Sequence, residues 1–533
     1  MGFAVVIQER AISPTTIVRS RCSIAGFILT LAAGMPMSAF AADVSQAEIL
    51  ERLERLERQQ QETQELLRAR DARILELESQ LAGQKAEVGA ASAGAAGQAA
   101  LDRQPVSPVG RDESKAETAN AAATTDAAAK PERKYFGEYQ PYGAGFKLVD
   151  TPMGDVNFSA WTYVRYLNQK SLDDTYTDAF GRTNKLNLLN NTQLNKVNLT
   201  FKGWLYDPAF QYLLFAWTSN PSMGDGAQVV LAGNLSYTFN KNFTLAGGIM
   251  PLPATRSLMG NHPLWLKTDN RVIADEFFRG SYTTGFAAAG EIAEGLNYKV
   301  MVGNNLSQLG VSSAQLDGVF NTLSGAITWM PTTGEFGPLG GYGDFEFHEK
   351  LATQIGVHLT RSRENAQNQP TTDDPENSQI RLSDGTLVFG RNAFNTGANV
   401  QRATYLMSSV DGGIKYRGYS LEGAYYARWV DDFVTTGFIP VNSLFDQGIE
   451  LQASMMVIPQ TLQPYVSASK IFGEYGDPWD AALGLNWFPF KQRLLRVNTE
   501  LLYLSDSPVG YTSVPFIVGG NGVVFYTNAE MKF

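Results

Sequence analysis

The side chains best suited to catalysis are scarce in this sequence of 533 residues. There is one cysteine, Cys22, and there are three histidines, His262, His348 and His358. No two histidines stand four residues apart, the spacing that places two metal ligands on one face of a helix, and no cysteine lies near them. A hydrolase would need a serine beside a histidine at the rim of the fold, whereas His358 lies inside an alternating segment. We therefore predict no catalytic residue, no metal and no cofactor.

Charged side chains of both signs are concentrated in one polar segment, residues 251–280. Opposed charges at close quarters select ions where a passage is narrow, because the reduced dielectric constant strengthens each contact. An apolar patch, Leu264, Trp265 and Leu266, provides a surface that can hold the segment against a wall. The alternative is a solvated loop with internal ion pairs. The candidate ion-selecting residues are Arg256, Lys267, Asp269, Arg271, Asp275, Glu276 and Arg279.

The elements that must position this segment are β-strands. Beyond residue 45 no window has the ~20 consecutive apolar residues that a membrane-spanning helix needs. From residue 135 onward, apolar and polar side chains alternate with period two, as Val156 and Phe158 do with Asn157. One face of such strands suits lipid and the other a wet lumen. A soluble antiparallel sandwich shows the same alternation.

The lengths of the connections distinguish the two folds. Long and short connections follow each other in turn, apart from the Gly-rich stretch 332–345, and this asymmetry is typical of an outer-membrane barrel. The sequence thus predicts an all-β transmembrane barrel of about 16 antiparallel strands, preceded by an α-helical coiled coil. The predicted strands are 155–169, 192–206, 208–219, 227–240, 241–250, 281–291, 295–304, 319–331, 346–362, 402–417, 418–431, 444–457, 461–472, 478–490, 493–505 and 521–533.

The last of these segments ends on an aromatic residue, Phe533. A terminal phenylalanine that closes an alternating strand is the usual assembly signal of outer-membrane barrels, and the alternation before it gives the pattern its weight. We therefore predict that Phe533 is the assembly signal.

Strand parity assigns a further set of charges to the lumen. Residues 135–533 contain 27 Lys and Arg against 35 Asp and Glu, a net charge of −8, and Glu422 and Glu500 face inward with the basic residues. The basic positions are scattered, so the residues favour a mild anion preference over tight phosphate binding. The candidate pore-lining residues are Arg165, Lys202, Lys299, Lys415, Arg428 and Arg496.

Three segments precede the predicted barrel domain, 135–533. Residues 1–41 combine a basic region, a short apolar run and a small-residue cleavage site, as a secretory signal peptide does. Residues 42–82 repeat apolar side chains at steps of four and three, which favours a periplasmic coiled coil over a solvated single helix. Residues 83–134, rich in Ala, Gly, Ser, Thr and Pro, read as a flexible linker.

A family pattern is recognisable between Phe243 and Asn304. Its features are the strand 243–250 running into Pro251, the motif Glu276-Phe277-Phe278-Arg279-Gly280, and a strand with Gly285 followed by Leu296-Asn297-Tyr298-Lys299-Val300. In these features residues 135–533 resemble the phosphate-selective porin O/P family. The resemblance implies a sixteen-stranded trimeric porin whose third external loop folds into the lumen.

Together these observations predict an outer-membrane porin for passive diffusion of small hydrophilic solutes, with an anion or phosphate preference left open. The alternatives are a structural anchor whose coiled coil tethers the outer membrane to the periplasm, a sugar- or dicarboxylate-specific porin, and, least favoured, a barrel hydrolase. The acidic run Asp373, Asp374 and Glu376 favours a solvated loop over a calcium site.

The predicted location is the outer membrane of a Gram-negative cell, with the coiled coil in the periplasm. The predicted partners are outer-membrane lipid, lipopolysaccharide, the barrel assembly machinery and two further copies of the chain. No nucleic-acid partner is predicted.

Overall fold

The computed structural model describes residues 139–140, 145–219, 228–307, 320–366, 380–510 and 514–533. The predicted signal peptide, coiled coil and linker, and the acidic run 373–376, lie outside these residues. The elements are β1 (Tyr139–Gln140), β2 (Gly145–Thr151), β3 (Gly154–Leu172), β4 (Thr175–Thr177), β5 (Thr183–Lys185), β6 (Asn190–Leu205), β7 (Asp207–Ser219), β8 (Gln228–Asn240), β9 (Phe243–Pro251), α1 (Ile273–Phe278), β10 (Tyr282–Ala293), β11 (Leu296–Gly303), β12 (Thr322–Trp329), β13 (Ala352–Asn365), β14 (Val400–Tyr416), β15 (Tyr419–Thr435), β16 (Leu444–Met455), β17 (Leu462–Phe472), β18 (Trp479–Trp487), β19 (Leu495–Ser505) and β20 (Gly522–Lys532).

Sixteen of these strands, β3 and β6 to β20, form a closed antiparallel barrel. Each strand pairs with the next along the chain, and β20 returns to pair with β3, where Asn528 lies opposite Arg165. Closure leaves no unpaired edge, which is the condition for a sheet in lipid. The predicted barrel of 16 antiparallel strands is confirmed. The short strand β2 pairs with the beginning of β3, and β4 and β5 form a separate hairpin.

Every predicted strand has a counterpart in the barrel, and one is displaced. The prediction of a strand over 346–362 is wrong at its start, because β13 begins at Ala352. Residues 346–351 belong instead to a long connection, in which Phe347 adopts a positive φ of 62° that an extended strand does not accommodate. Among the described residues, no helix is both long and apolar enough to cross a membrane.

The two ends of the barrel differ in their connections. At one end, called here the short-turn end, strands are joined by a few residues, as at 241–242 and 417–418. At the other, called the long-loop end, the connections include 173–189 and 252–281. The connection 330–351, between β12 and β13, is the long exception at the short-turn end.

The two faces of the wall differ as the alternation predicts. On β3, Tyr163 and Arg165 are fully buried at 0 % exposure, whereas Val164 between them is 44 % exposed. Many exposed positions of the other strands are likewise apolar, for example Leu359 and Leu501. An apolar outer belt and a polar inner face are characteristic of barrels that span a membrane.

Candidate functional site

The connection 252–281, called here the inner loop, lies inside the barrel. Its apolar side chains pack against inward residues of the wall, which keeps them from water. In α1, the Phe278 ring stacks on that of Tyr426, with centroids 5.3 Å apart and planes 6° apart. Leu266 and Trp265 pack with Tyr465, a wall residue. The apolar patch predicted to hold this segment against the wall therefore does so.

Two buried ion pairs also attach the inner loop to the wall. The Arg256 guanidinium lies 2.6 Å from Glu422, and the Lys267 ammonium lies 2.8 Å from Glu500. The Lys267 and Glu500 side chains are 2 % and 0 % exposed. Removing one member of such a pair leaves an uncompensated buried charge. These two predicted ion-selecting residues thus lie between loop and wall, away from free water.

Several wall residues bind the loop backbone. Arg165 donates a hydrogen bond to the carbonyl oxygen of Thr268 at 3.2 Å, and Arg496 donates one to that of Trp265 at 2.5 Å. Arg428 lies 4.0 Å above the Phe277 ring while it pairs with Asp446. Backbone carbonyls that are otherwise without partners in an irregular loop are satisfied in this way.

Asp269 joins the loop to β3 and β6 of the wall. It accepts a hydrogen bond from the Tyr163 hydroxyl at 2.8 Å and pairs with Lys196 at 2.8 Å. Although burial favours the neutral acid, the Lys196 ammonium and hydrogen bonding from His262 hold the pKa of Asp269 well below its usual range. Lys196 was not among the predicted site residues, although it has the same strand parity as Lys202, and the irregularity of β6 lies before it.

The remaining predicted charges form a cluster within the loop. Arg271 and Arg279 both bind Glu276, at 2.9 and 2.5 Å, and Arg271 lies 3.4 Å from Asp275. Burial opposes ionisation of Glu276, but the two guanidinium groups outweigh it and lower the pKa of Glu276. Burial raises the pKa of Asp275. Arg271 and Arg279 keep 13 % and 11 % exposure, so they are the cations of this cluster that reach solvent.

A second connection, 330–351, enters the lumen from the short-turn end and meets the inner loop. The Tyr342 amide donates a hydrogen bond to the Leu264 carbonyl oxygen at 2.7 Å. The Arg256 guanidinium lies 4.2 Å from the centroid of the Tyr342 ring. Lys415, predicted to line the pore, donates to the carbonyl oxygen of Gly341 at 2.6 Å. The sequence signal for this arrangement is a group of aromatic residues within a Gly-rich stretch.

His348 stabilises the base of this second connection. Its ring nitrogens face the carboxylates of Asp344 and Glu335, the latter at 3.2 Å. Burial disfavours the imidazolium, but hydrogen bonding to Asp344 and then to Glu335 outweighs it and raises the pKa of His348 above 6.5. Contacts of His348 with these two carboxylates therefore hold the connection in place, most strongly when the ring is protonated.

This contact predicts a pH dependence of stability. Because the pKa is higher in the folded state, the His348 contribution is fully present below pH 6.5 and is lost as the pH rises through the raised value. Thermal unfolding in detergent at pH 6 to 9 should show that loss in the unmodified protein, whereas His348→Gln should flatten it. An identical pH dependence in both proteins would contradict the assignment.

The other two histidines also make structural contacts. His358 lies between Asp411, 2.7 Å from Nε2, and the Pro253 carbonyl oxygen, 3.0 Å from Nδ1. His262 stands between Trp161 and Trp265, with its ring centroid 4.8 Å from each. Both contacts link the inner loop to its surroundings.

The inner loop divides the inner face of the barrel in two. Inward side chains of β13 to β20 and β3 are mostly buried beneath it. Those of β6 to β9 are mostly half-exposed, and those of β10 to β12 are half-exposed only toward the short-turn end. We call the inner face of β6 to β12 the open wall. Of the six predicted pore-lining residues, the structure places Lys202 and Lys299 on the open wall. The other four, Arg165, Lys415, Arg428 and Arg496, face inward but are 0 to 4 % exposed.

Charge is segregated between the two halves. The inward carboxylates of β13 to β20 are all buried, and several bind the loop. In contrast, the described strands β6 to β12 contain two carboxylates, Asp207 and Glu291, both at the short-turn end. Their cations are Lys196, Lys202 and Lys299, of which Lys202 and Lys299 lie toward the same end. The buried inward carboxylates are Glu364, Asp411, Glu422, Asp446, Glu450, Asp480, Glu500 and Glu530.

Comparisons with known proteins give a likeness of fold. Neither a protein-family model nor a curated protein matches the sequence. One similar solved structure is OmpT of Vibrio cholerae, with 10 % identity, 72 % of this chain and 99 % of that chain covered, and a TM-score of 0.45. A second is the anion-selective porin from Comamonas acidovorans, with 10 % identity, 71 % and 100 % covered, and a TM-score of 0.44.

A third similar structure is the outer membrane channel DcaP of Acinetobacter baumannii, with 9 % identity, 72 % and 99 % of the two chains covered, and a TM-score of 0.44. At these identities and scores, the likenesses assign neither a solute nor an ion preference to the chain.

Proposed function

We propose that this protein is an outer-membrane porin, through which small hydrophilic solutes diffuse passively, with a mild preference for anions. The observation that carries the proposal is the closed barrel, apolar outside and polar inside, in which part of the inner face, chiefly on β6 to β9, stays half-exposed. A solute crossing the barrel beside the inner loop would pass along the open wall.

The preference for anions is inferred from the segregation of charge. Although residues 135–533 carry a net charge of −8, most inward carboxylates are buried beneath the inner loop, where cations neutralise several of them. The open wall presents lysines to a permeating ion, and in the loop Arg271 and Arg279 keep 13 % and 11 % exposure. Separate ammonium groups attract anions but cannot form the bidentate hydrogen bonds that a cluster of guanidinium groups gives to phosphate. Tight phosphate binding is therefore not proposed.

Reversal potential in a KCl gradient tests this proposal. We expect the unmodified channel to prefer chloride, and Lys202→Glu with Lys299→Glu to shift the permeability ratio several-fold toward potassium, because each change reverses a charge on the open wall. The matched control is Lys185→Glu, an exposed residue of the β4–β5 hairpin. Cation preference in the unmodified channel, or an equal shift in the control, would reject the anion preference.

One observation favours a second candidate, a structural anchor. Two connections enter the lumen from opposite ends and bind each other between Tyr342 and Leu264. If they close the passage, the barrel is an anchor and the segment before residue 135 carries the function. Single-channel recording separates the two candidates, since an anchor passes no steady current.

The assembly and location follow from the proposed function. We propose that the barrel inserts through the barrel assembly machinery, contacts lipid and lipopolysaccharide with its exposed apolar belt, and forms a trimer. Residues 42–82 are proposed to lie in the periplasm as a coiled coil.

A further inference from the structure

The open wall carries an apolar column where a polar face is expected. Leu213, Phe215 and Trp217 occupy three successive inward positions of β7, since strand side chains alternate between faces. All three are half-buried, whereas Leu214 between them is 52 % exposed on the outer face. The β7 strand is therefore apolar on both sides. Barrels that conduct water and ions ordinarily line the lumen with polar side chains.

Polar side chains stand beside this column on one side. On β6, Asn198, Thr200 and Lys202 lie directly opposite Trp217, Phe215 and Leu213, so each apolar residue has a polar neighbour across the strands. On β8, the inward residues opposite Trp217 and Phe215 are small and apolar, Val230 and Ala232. The open wall is thus amphipathic, with a polar edge that ends in an ammonium group.

Two contacts place the column beside the inner loop. The Phe215 ring lies 6.4 Å from that of Tyr282, which follows the loop, and the Lys196 ammonium lies 4.9 Å from the centroid of Trp217. Lys196 in turn pairs with Asp269 of the loop. A solute passing between loop and wall would therefore touch the column.

We propose that the column of Leu213, Phe215 and Trp217 binds organic anions that have an apolar body, with the carboxylate held at Lys202. This inference rests on the proposed porin function and names the solute class that the open wall favours. Aromatic faces attract planar apolar groups by stacking, and burying that surface is favourable. Within the described residues Lys202 has no ion-pair partner, and the carboxylate of Asp155, on the neighbouring strand β3, pairs with Lys147 at 3.2 Å. Charge complementarity thus favours an anion over a cation of the same shape.

Block of the single-channel current by three probes tests this inference. Benzoate has a ring and a negative charge, acetate has the charge without the ring, and benzylammonium has the ring with the opposite charge. Benzoate should block the full-length channel at a lower concentration than either of the others. If acetate blocks equally well, the column contributes nothing; if benzylammonium blocks equally well, the anionic part of the proposal is wrong.

Variants then locate the site. Phe215→Thr should raise the half-blocking concentration of benzoate about tenfold, which is the loss of affinity expected for one aromatic contact. The half-blocking concentration of acetate should not change. Lys202→Gln should weaken block by benzoate and acetate alike. Thr328→Ser, an inward change on β12, is the matched control and should alter neither. If the Phe215→Thr protein does not insert into the bilayer, the Leu213→Thr protein is used in its place.

The outcomes separate this inference from the function on which it rests. Unchanged benzoate block in both Phe215→Thr and Leu213→Thr would overturn the binding column, although an anion-preferring current in the same channels would leave the porin function standing. If a second copy of the chain or a detergent molecule occupies the column, benzoate should not block the unmodified channel. Absence of that block also overturns the inference.

Discussion

Arg256→Ala should both destabilise the barrel and increase its single-channel conductance. The substitution leaves Glu422 buried without its cation, and breaking such a pair costs about 3–5 kcal/mol of unfolding free energy. It also removes the guanidinium that contacts Tyr342, so the inner loop and the 330–351 connection lose a shared contact. Denaturant unfolding in detergent and planar-bilayer recording measure the two effects.

A double-mutant cycle separates the charge from the packing. Arg256→Ala with Glu422→Ala should recover part of the stability lost in Arg256→Ala, because no unpaired carboxylate remains. The matched control is Lys241→Ala, which breaks a pair with Glu291 whose lysine is 75 % exposed. That change should cost less than about 1 kcal/mol. If conductance stays at its original level in Arg256→Ala, the pair does not position the loop.

The second large effect is expected at the last residue. Phe533 exchanges two backbone hydrogen bonds with Ala160, both 3.0 Å, and its ring lies 5.5 Å from that of Phe146. Phe533→Asp should sharply reduce the amount of protein in the outer membrane. In protein that has already folded, it should lower the unfolding free energy by about 1–3 kcal/mol, since a charged group replaces the ring at the closing strand pair.

Surface labelling of cells and unfolding of purified protein give the two measurements. Phe490→Asp is the matched control, because Phe490 is 66 % exposed in a turn at the same end of the barrel. Normal surface levels of Phe533→Asp would contradict the role of Phe533 as assembly signal.

The barrel strands could be predicted because their two faces lie in different environments. Lipid outside and water or loop inside require opposite polarity at successive residues, and a slip by one residue would reverse every side chain. The start of β13 could not be predicted in this way, because residues 346–351 do not form a strand with one face toward lipid and the other toward the lumen. They close a connection in which the Phe347 backbone is left-handed and the Asp344 side chain accepts a hydrogen bond from the His348 amide.

Inward orientation was predictable for the basic wall residues, but their surroundings were not. Parity places Arg428 and Lys202 on the same face, yet one is buried beside Phe277 and the other lies on the open wall. What distinguishes them is the path of the inner loop, which depends on contacts between residues distant in sequence. The pairing of Lys267 with Glu500, 233 positions apart, leaves no local pattern for the same reason.

Separation of the buried carboxylates from the open-wall lysines has a consequence for how such a channel can change over generations. Substitutions at Glu422 or Glu500 disturb the anchorage of the loop, so most of them would be removed by selection for folding. Substitutions at Lys202 or Lys299 alter the charge that a solute meets while the loop anchors stay intact. A lineage can therefore exchange one solute preference for another through one or two wall residues, with stability preserved throughout.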